Sequence, residues 1–467
     1  MSIPHPPQGH LSAVLPATSD AAASVPAAQT LCFAVILVVM LILLATERIQ
    51  KTVLVLLSAL LCLFLADYWG YFPHTEGHHL PVYIDMIEWE VIGIVIGATI
   101  FVEISARSGI FTFVSIKMLK ASAGDPFRLL IFLSILTAVF SAFLDNITAM
   151  IIIGSLTIVA CKKLELDAKP FLLTEGIMTN IGGLLTLISS IPNIIVGKAA
   201  GISYVQFFLV TAPYVAIATF ATMILARKLF GAGVQPLTGQ NEKTHHRDLV
   251  MAFDEWETVK DRRFFYTAIV GVVLVILGFA LKDQIPILQN FGIEIVAMLA
   301  AVLMLLLHAD NVEHDLDHVE WSLVFFFVGL FVVIGVMDRA HVLLWIGRLL
   351  DGITAHTGVY GLMWLTAGFS SVTDNIPLAA MLAKIFGSTP EIAQALPVSQ
   401  WWAIVFGANL GGNITPIGSA STVVACTIMK KHGIKIGFME FVKIAGVFAV
   451  AQLVLATGYL AVLSRVL

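Results

Sequence analysis

The chain has 467 residues, of which 58% are hydrophobic and only 12% are charged. A soluble domain carries about 25% charged residues, so this composition excludes an ordinary soluble protein and indicates an all-α polytopic membrane protein. The net charge of −5 says little, because the placement of Lys and Arg decides how a chain lies in a membrane. We expect a lipid bilayer as a partner, and no nucleic acid.

Residues 1–29 contain no Lys or Arg and are rich in Ala, Pro and Ser. Without a basic segment they make a poor signal peptide, and we interpret them as a disordered tail before the first span. The four cysteines form no C-x-x-C pair, so we expect free thiols rather than disulfides or a metal site.

Three apolar runs follow and predict membrane spans at Leu31–Ala45, Thr52–Ala66 and Trp89–Ser105. The connector 47–51 is basic, whereas residues 67–88 hold no Lys or Arg. By the positive-inside rule the N-terminus is therefore predicted outside. The amphipathic stretch 107–126 is predicted to lie at the cytoplasmic face.

The segment 128–163 has two apolar arms and an acidic centre at Asp145-Asn146. Arg128 and Lys162-Lys163 mark both ends as cytoplasmic, which predicts a re-entrant hairpin. A non-helical tip at membrane depth is tolerated only where it is buried in protein or lines a wet cavity. The alternative is a pair of ordinary full spans, with the acidic pair outside.

The next span, Pro170–Gly201, is interrupted by 180–183 and 189–193, where Asn, Gly, Ser and Pro break a helix. We interpret it as a discontinuous span. Val205–Leu225 crosses back to the polar segment 231–263, a predicted cytoplasmic linker.

The second half repeats this plan. The predicted elements are spans Phe264–Leu281, Gly292–Leu307 and Trp321–Met337, the amphipathic stretch 339–352, the hairpin 358–386, the interrupted span Trp401–Lys430 and the last span Phe438–Leu463. A constant offset of 229 residues aligns Asp145 with Asp374 and Gly182 with Gly411. Five spans and one hairpin per half predict two inverted-topology repeats, 30–230 and 264–467, with the C-terminus also outside. In such transporters the substrate site lies near the midplane, among broken helices.

These motifs resemble the ion transporter superfamily, in its ArsB/NhaD permease branch of NhaD-type sodium/proton antiporters, arsenite permeases and P-protein-like permeases. The resemblance is carried by Phe143–Thr148 and Thr373–Ala380 at the hairpin tips, and by Asn180–Gly183 and Ile414–Ser419 at the breaks. Carboxylate carriers show Ser-Asn-Thr at both tips, whereas this chain has Asp-Asn-Ile, which argues against a di- or tricarboxylate. Residues 189–193 also lack the Asp of the P-protein pattern Gly-Asp-Pro-Pro-Asn.

The resemblance implies two ion sites that face a central cavity, and a homodimer. The first site would comprise Asp145, Asn146, Asn180, Thr186, Ser189, Ser190 and Asn193. The second would comprise Asp374, Asn375, Asn409, Asn413, Thr415, Ser419 and Thr422. Their oxygen atoms suit a hard cation, and we expect sodium at Asp145, Asn146, Asp374 and Asn375.

Asp145 and Asp374 can also bind protons, so one group that binds either ion would give antiport. The structural alternative is that both aspartates cap helix starts. Glu175 is a candidate proton relay, or else it lies near the cytoplasmic end of its span and pairs with a lysine. The histidine- and acid-rich loop 308–320 senses pH, binds a divalent ion or is simply solvated.

The leading hypothesis is sodium/proton antiport by alternating access across a bacterial-type inner membrane. The transported partner is then a small inorganic ion, and we expect no enzymatic activity and no cofactor besides the transported ions. One rival is proton-driven efflux of arsenite or antimonite, which the segment Thr415–Ser419 favours. Another is sodium-coupled uptake of organic anions such as dicarboxylates. A passive anion channel is a further alternative, but a channel would not need two titratable tips.

Overall fold

The computed structural model describes residues 25–46, 48–72, 81–231, 234, 239–307, 312–317, 319–387 and 397–466. The first half contains α1 (Ala27–Thr46), α2 (Lys51–Tyr68), α3 (Trp89–Arg107), α4 (Ile110–Ala121), α5 (Pro126–Ser141), α6 (Asn146–Lys163), α7 (Lys169–Gly182), α8 (Ile191–Ala199) and α9 (Tyr204–Leu229). The linker contains α10 (Gln240–Met251). The second half contains α11 (Arg262–Leu281), α12 (Glu294–Leu307), α13 (Val312–Asp317), α14 (Trp321–Arg339), α15 (Val342–Ser370), α16 (Asn375–Phe386), α17 (Val398–Gly411), α18 (Ala420–Lys431) and α19 (Phe438–Val466).

Eight helices among the described residues are long and apolar enough to cross a membrane: α1, α2, α3, α6, α9, α11, α14 and α19. Their outward faces carry exposed side chains such as Leu60, Phe64, Phe220 and Leu274. Exposed apolar surface on this scale needs a hydrocarbon solvent, because water would not tolerate it. The predicted all-α polytopic fold is confirmed.

Both predicted hairpins are present as helix pairs that meet at an Asp-Asn turn. In the first, residues 142–145 separate α5 from α6, and in the second, 371–374 separate α15 from α16. The helix α15 bends at Gly358, whose φ of +65° is a left-handed conformation that favours glycine. This bend divides the amphipathic part of α15 from the hairpin arm, where the sequence predicts the hairpin to begin.

Both discontinuous spans are also confirmed. Residues 183–190 separate α7 from α8, and residues 412–419 separate α17 from α18. Each first segment ends in a Gly-Gly pair, and each second segment starts after a serine in extended conformation, Ser190 or Ser419.

The two halves interlock. Within each half the first hairpin arm packs on the broken span, α5 on α7 and α15 on α17. Between halves the contacts are exchanged: α3 packs on α12 and α14 on α2, while α8 packs on α16 and α18 on α6. Equivalent helices therefore make equivalent contacts, as two-fold-related repeats require.

Glycines allow the closest of these contacts. A Cβ atom on Gly182 would lie 2.3 Å from the carbonyl oxygen of Ala138, and one on Gly411 would lie 2.4 Å from that of Ala367. The first arm of each hairpin thus touches the backbone of the broken span at its Gly-Gly pair.

Two sequence predictions need adjustment. α1 begins at Ala27, so residues 27–29 are helical rather than tail; residues 1–24 lie outside the described residues. The linker is more than a polar connector, because α10 forms within it and Glu255 makes ion pairs with Lys117 and Lys120 of α4.

Candidate functional site

Both hairpin tips and both helix breaks contribute to one cavity of about 700 Å³. The tips supply Asp145, Asn146, Asp374 and Asn375, and the segments at the two breaks supply Ser189, Ser190 and Ser419. The starts of α2 and α14 contribute Lys51 and Glu320, and apolar side chains, such as those of Val102 on α3 and Phe326 on α14, line much of the rest.

At the first tip, Asp145 is the N-cap of α6. Its Oδ1 accepts hydrogen bonds from the backbone N–H groups of Ile147 and Thr148, both at 2.9 Å. The capping role is therefore present. Both bonds use Oδ1, and Oδ2 has no partner among the residues that the structure describes. The side chain is exposed where it lines the cavity.

At the second tip, Asp374 also caps α16, where its Oδ1 accepts the N–H of Ile376 at 3.2 Å. Here the second oxygen, Oδ2, accepts a hydrogen bond from Lys51 Nζ at 3.1 Å. The two tips thus share a backbone design but differ in their charged neighbours.

Behind the cavity, buried amides tie the two breaks together. Asn180 donates from Nδ2 to Asn413 Oδ1 at 2.7 Å and to Ser419 Oγ at 2.9 Å. In the opposite direction, Asn409 donates to Asn193 Oδ1 at 2.8 Å. Each broken span therefore reaches into the break of the other half.

Hydroxyl groups hold each hairpin to its own broken span, and they do so twice with the same offset. Thr186 donates to the carbonyl oxygen of Ala142, and Thr415 donates to that of Ser371. Ser141 donates to the carbonyl oxygen of Thr179, and its counterpart Ser370 does so to Ala408. The repeat in the sequence therefore recurs in the structure as equivalent hydrogen bonds.

The predicted site residues fall into two groups. The cavity is lined by Asp145, Asn146, Ser189, Ser190, Asp374, Asn375 and Ser419. The others are buried in the network behind it: Asn180, Thr186, Asn193, Asn409, Asn413, Thr415 and Thr422. The role of either group in ion binding stays a prediction.

Sequence reasoning missed several polar residues, among them Gln452, Lys51 and Glu320. Gln452, on α19, is buried and accepts a hydrogen bond from Asn413 at 3.0 Å. Lys51 belongs to a basic connector and Glu320 to the loop 308–320, yet both line the cavity. The signal for Glu320 was available, because Glu88-Trp89 and Glu320-Trp321 align between the repeats. His308 and His318 of that loop lie outside the described residues.

Burial, together with the nearby charge of Asp145, raises the pKa of Glu320 to about 7. Glu320 directly precedes α14. A carboxyl group with this pKa changes its protonation state near neutral pH.

Glu175 is fully buried in α7. Its Oε1 accepts a hydrogen bond from Thr157 at 2.6 Å, and Oε2 has no partner within the described part of the chain. The expected pairing with a lysine is not observed among these residues. Glu175 does not line the cavity, so its relay role stays a prediction.

The chain is all-helical and membrane-embedded, with paired hairpins, broken helices and a cavity lined by residues of both repeats. This is the architecture of a secondary transporter. The chain belongs to the citrate transporter family, whose model matches residues 41–407. It is 31% identical to an uncharacterized transporter of Mycobacterium bovis over 425 residues, which cover 90% of this chain and 95% of that protein. It is 32% identical to a 46 kDa membrane protein of Mycobacterium leprae over 434 residues, with the same coverage of both chains.

More distant matches agree. The human P protein is 26% identical over 453 residues, which cover 81% of this chain and 54% of the P protein. The crystal structure of the Alcanivorax borkumensis YdaH transporter, described as having an unusual topology, matches with a TM-score of 0.56 and 13% identity, covering 89% of this chain and 98% of YdaH. The resemblance to the ion transporter superfamily is confirmed: the protein is a multi-pass membrane transporter and not an enzyme.

Proposed function

We propose that the protein exchanges sodium for protons by alternating access, in a bacterial-type inner membrane with both termini outside. One observation carries the proposal: the two Asp-Asn tips, which come from different halves of the chain, line the same cavity. A homodimer, implied by the family resemblance, remains a prediction.

The chemistry of the wall suits this exchange. Asp145 Oδ2, the Asn146 amide and the hydroxyls of Ser189 and Ser190 are oxygen ligands of the kind that hard cations prefer. In this proposal a tip carboxylate binds either a sodium ion or a proton, so the two ions compete for one group. Competition of this kind is sufficient for antiport.

The helices pack in two groups, and alternating access needs two groups that can move against each other. α2, α3, α12 and α14 pack among themselves, whereas the hairpins pack on the broken spans. We infer that the first group is a scaffold and that the hairpins and broken spans move against it. Helix breaks at the boundary offer backbone dipoles to the ion throughout the motion.

The test is reconstitution in liposomes that contain a pH-sensitive dye. We expect sodium or lithium to drive proton movement, while arsenite and succinate do not. Proton movement with arsenite and none with sodium or lithium would replace the proposal with arsenite efflux.

A second candidate is sodium-coupled transport of an organic anion, favoured by the ammonium group of Lys51 in the cavity and by the description of the family as citrate transporters. Uptake of radiolabelled citrate or succinate that requires a sodium gradient would support it. Lys51 already pairs with Asp374, so an anion would have to take the ammonium group from that carboxylate.

The first prediction concerns the two tip aspartates. Asn can still cap a helix but cannot be ionised, so Asp145→Asn and Asp374→Asn should keep the fold and reduce sodium-driven proton movement by roughly tenfold or more. The matched control is Asp317→Asn, an exposed position on α13 that does not line the cavity. Full transport by either tip variant would leave that aspartate with a structural role alone.

A further inference from the structure

The two hairpin tips differ in the charge that faces them. Near Asp145 the charged neighbour is Glu320, whose pKa the aspartate helps to raise. Among the described residues Asp145 makes no ion pair, whereas Asp374 is bound by the ammonium group of Lys51. The repeat is therefore symmetric in backbone and asymmetric in charge.

Lys51 is held in place by the scaffold. It is the first residue of α2, and its neighbours on both sides bind the start of α14: Gln50 Nε2 donates to Ser322 Oγ, and Thr52 Oγ1 donates to the Ser322 carbonyl oxygen, both at 2.7 Å. The first turn of a helix is an unfavourable place for a cation, because the helix dipole is positive there. The carboxylate of Asp374 offsets this cost.

Asp374, in contrast, belongs to the hairpin that we assign to the moving region. The side chain of Lys51 is 36% exposed and that of Asp374 is 17% exposed, so the pair lies at the cavity wall and remains accessible. The pair joins scaffold to hairpin, across a boundary that alternating access must shift.

We propose that Lys51 is a tethered cation that occupies the carboxylate of Asp374 and must be displaced before a transported cation binds at that tip. A sodium ion on Asp374 beside an ammonium group would place two positive charges at one carboxylate, and the two cations repel strongly at such short range. Lys51 therefore lowers the apparent affinity of this tip for sodium, and its release couples cation binding to movement of the hairpin. Lys51 acts through Asp374 and is a positioning residue; this inference rests on the proposed exchange of sodium for protons.

The test compares the sodium dependence of proton movement in liposomes for the wild type and for Lys51→Met. Without the competing ammonium group, the sodium concentration for half-maximal rate should fall about tenfold or more, while the maximal rate falls because the ion leaves more slowly. Lys51→Arg keeps a cation at Asp374 and should retain the wild-type half-maximal concentration. A purely structural role for Lys51 would lower the maximal rate without increasing the affinity.

Lys198→Met is the matched control. Lys198 also makes ion pairs with carboxylates, Glu88 at 2.8 Å and Glu90 at 2.9 Å, but it does not line the cavity. We expect its half-maximal sodium concentration to equal that of the wild type.

A second measurement needs no variant. Amine-reactive labelling of the wild-type protein, read by mass spectrometry at Lys51, should be faster in saturating sodium than in choline, because sodium displaces the ammonium group from Asp374. Labelling that is unchanged by sodium, or an unchanged half-maximal concentration in Lys51→Met, overturns the inference while leaving antiport intact. Absence of sodium-driven proton movement in the wild type overturns the proposed function and the inference with it.

Discussion

Single residues in this protein serve the fold and the cavity at once. Asp145 and Asp374 each use one carboxylate oxygen to cap a helix. The other oxygen faces the cavity at Asp145 and binds Lys51 at Asp374. A capped helix start holds the carboxylate at a fixed place, which an ion site requires. The structural reading of these aspartates and the functional one are therefore compatible.

In the buried amide network behind the cavity, Asn180 also contacts more than one element. It is fully buried and donates to both Asn413 and Ser419. Asn180→Leu would leave the Asn413 side-chain oxygen without this donor, at a cost of about 1–3 kcal/mol. Ser419 would keep its bonds to Ser421 and Thr422. We expect a lower thermal unfolding temperature in detergent.

The control for this variant is Thr427→Ala, because the exposed Thr427 hydroxyl donates to the Val423 carbonyl oxygen of its own helix and to no other group in the part of the chain that the structure describes. Its unfolding temperature should stay close to that of the wild type. Equal stability of Asn180→Leu and the wild type would mean that the amide network does not stabilise the two breaks.

At the scale of residues, the sequence predicts features that depend on neighbouring residues and misses contacts between residues far apart in the chain. Asp-Asn pairs, Gly-Gly pairs and prolines interrupt helices wherever they occur, so the tips and breaks were found from the chain alone. The bonds from Asn180 to Asn413 and from Lys51 to Asp374 join residues far apart in sequence. They follow from the way the halves interlock, which no local pattern encodes.

At the scale of elements, the crossing between hairpin and broken span decides whether the cavity forms. α5 approaches α7 so closely that a Cβ on Gly182 would meet the Ala138 backbone, and α15 approaches α17 in the same way at Gly411. Backbone atoms cannot turn aside as a flexible side chain can. The Gly-Gly pairs that the sequence suggested as helix breakers are therefore also contact points.

Gly182→Ala and Gly411→Ala should each push the hairpin arm away from its broken span and reduce stability by about 1–3 kcal/mol. Gly446→Ala is the matched control, because nothing lies within 4 Å of the added atom on α19 and alanine favours a helix. Thermal unfolding of the three variants in detergent checks this. If the crossing glycines tolerated alanine as well as Gly446 does, the close approach would not be required.

At the scale of the whole molecule, the two halves exchange helices, so neither can complete its own surroundings. α12 of the second half packs on α3 of the first, and α2 of the first packs on α14 of the second. The count of five spans per half predicts that the repeats are inverted, but it does not predict that the halves exchange helices. Apolar periodicity shows which face of a helix is buried and not which helix covers that face. The cavity exists only when both halves are present.

The linker adds one more connection between the halves, because it is clamped to α4. Glu255 pairs with Lys117 and Lys120, and the Trp256 ring contacts Phe113 with centroids 4.7 Å apart. Hydrogen bonds from the two lysines lower the pKa of Glu255 from its ordinary 4.5 to about 2. For a carboxyl group with a lowered pKa, the stabilisation is complete above about pH 4.5 and is lost as the pH falls towards 2.

Glu255→Gln should therefore loosen the linker at neutral pH, and we expect faster trypsin cleavage at Lys260 and Arg262 than in the wild type. Glu257→Gln makes the same chemical change at an exposed position two residues away and should be cleaved at the wild-type rate. In the wild type, amide hydrogen exchange across 240–261 should be slow at pH 6 and, after correction for the intrinsic rate, faster at pH 3, whereas α3 stays protected. Protection of the linker that is equal at both pH values, or equal cleavage of Glu255→Gln and Glu257→Gln, would show that this ion pair does not hold the linker to α4.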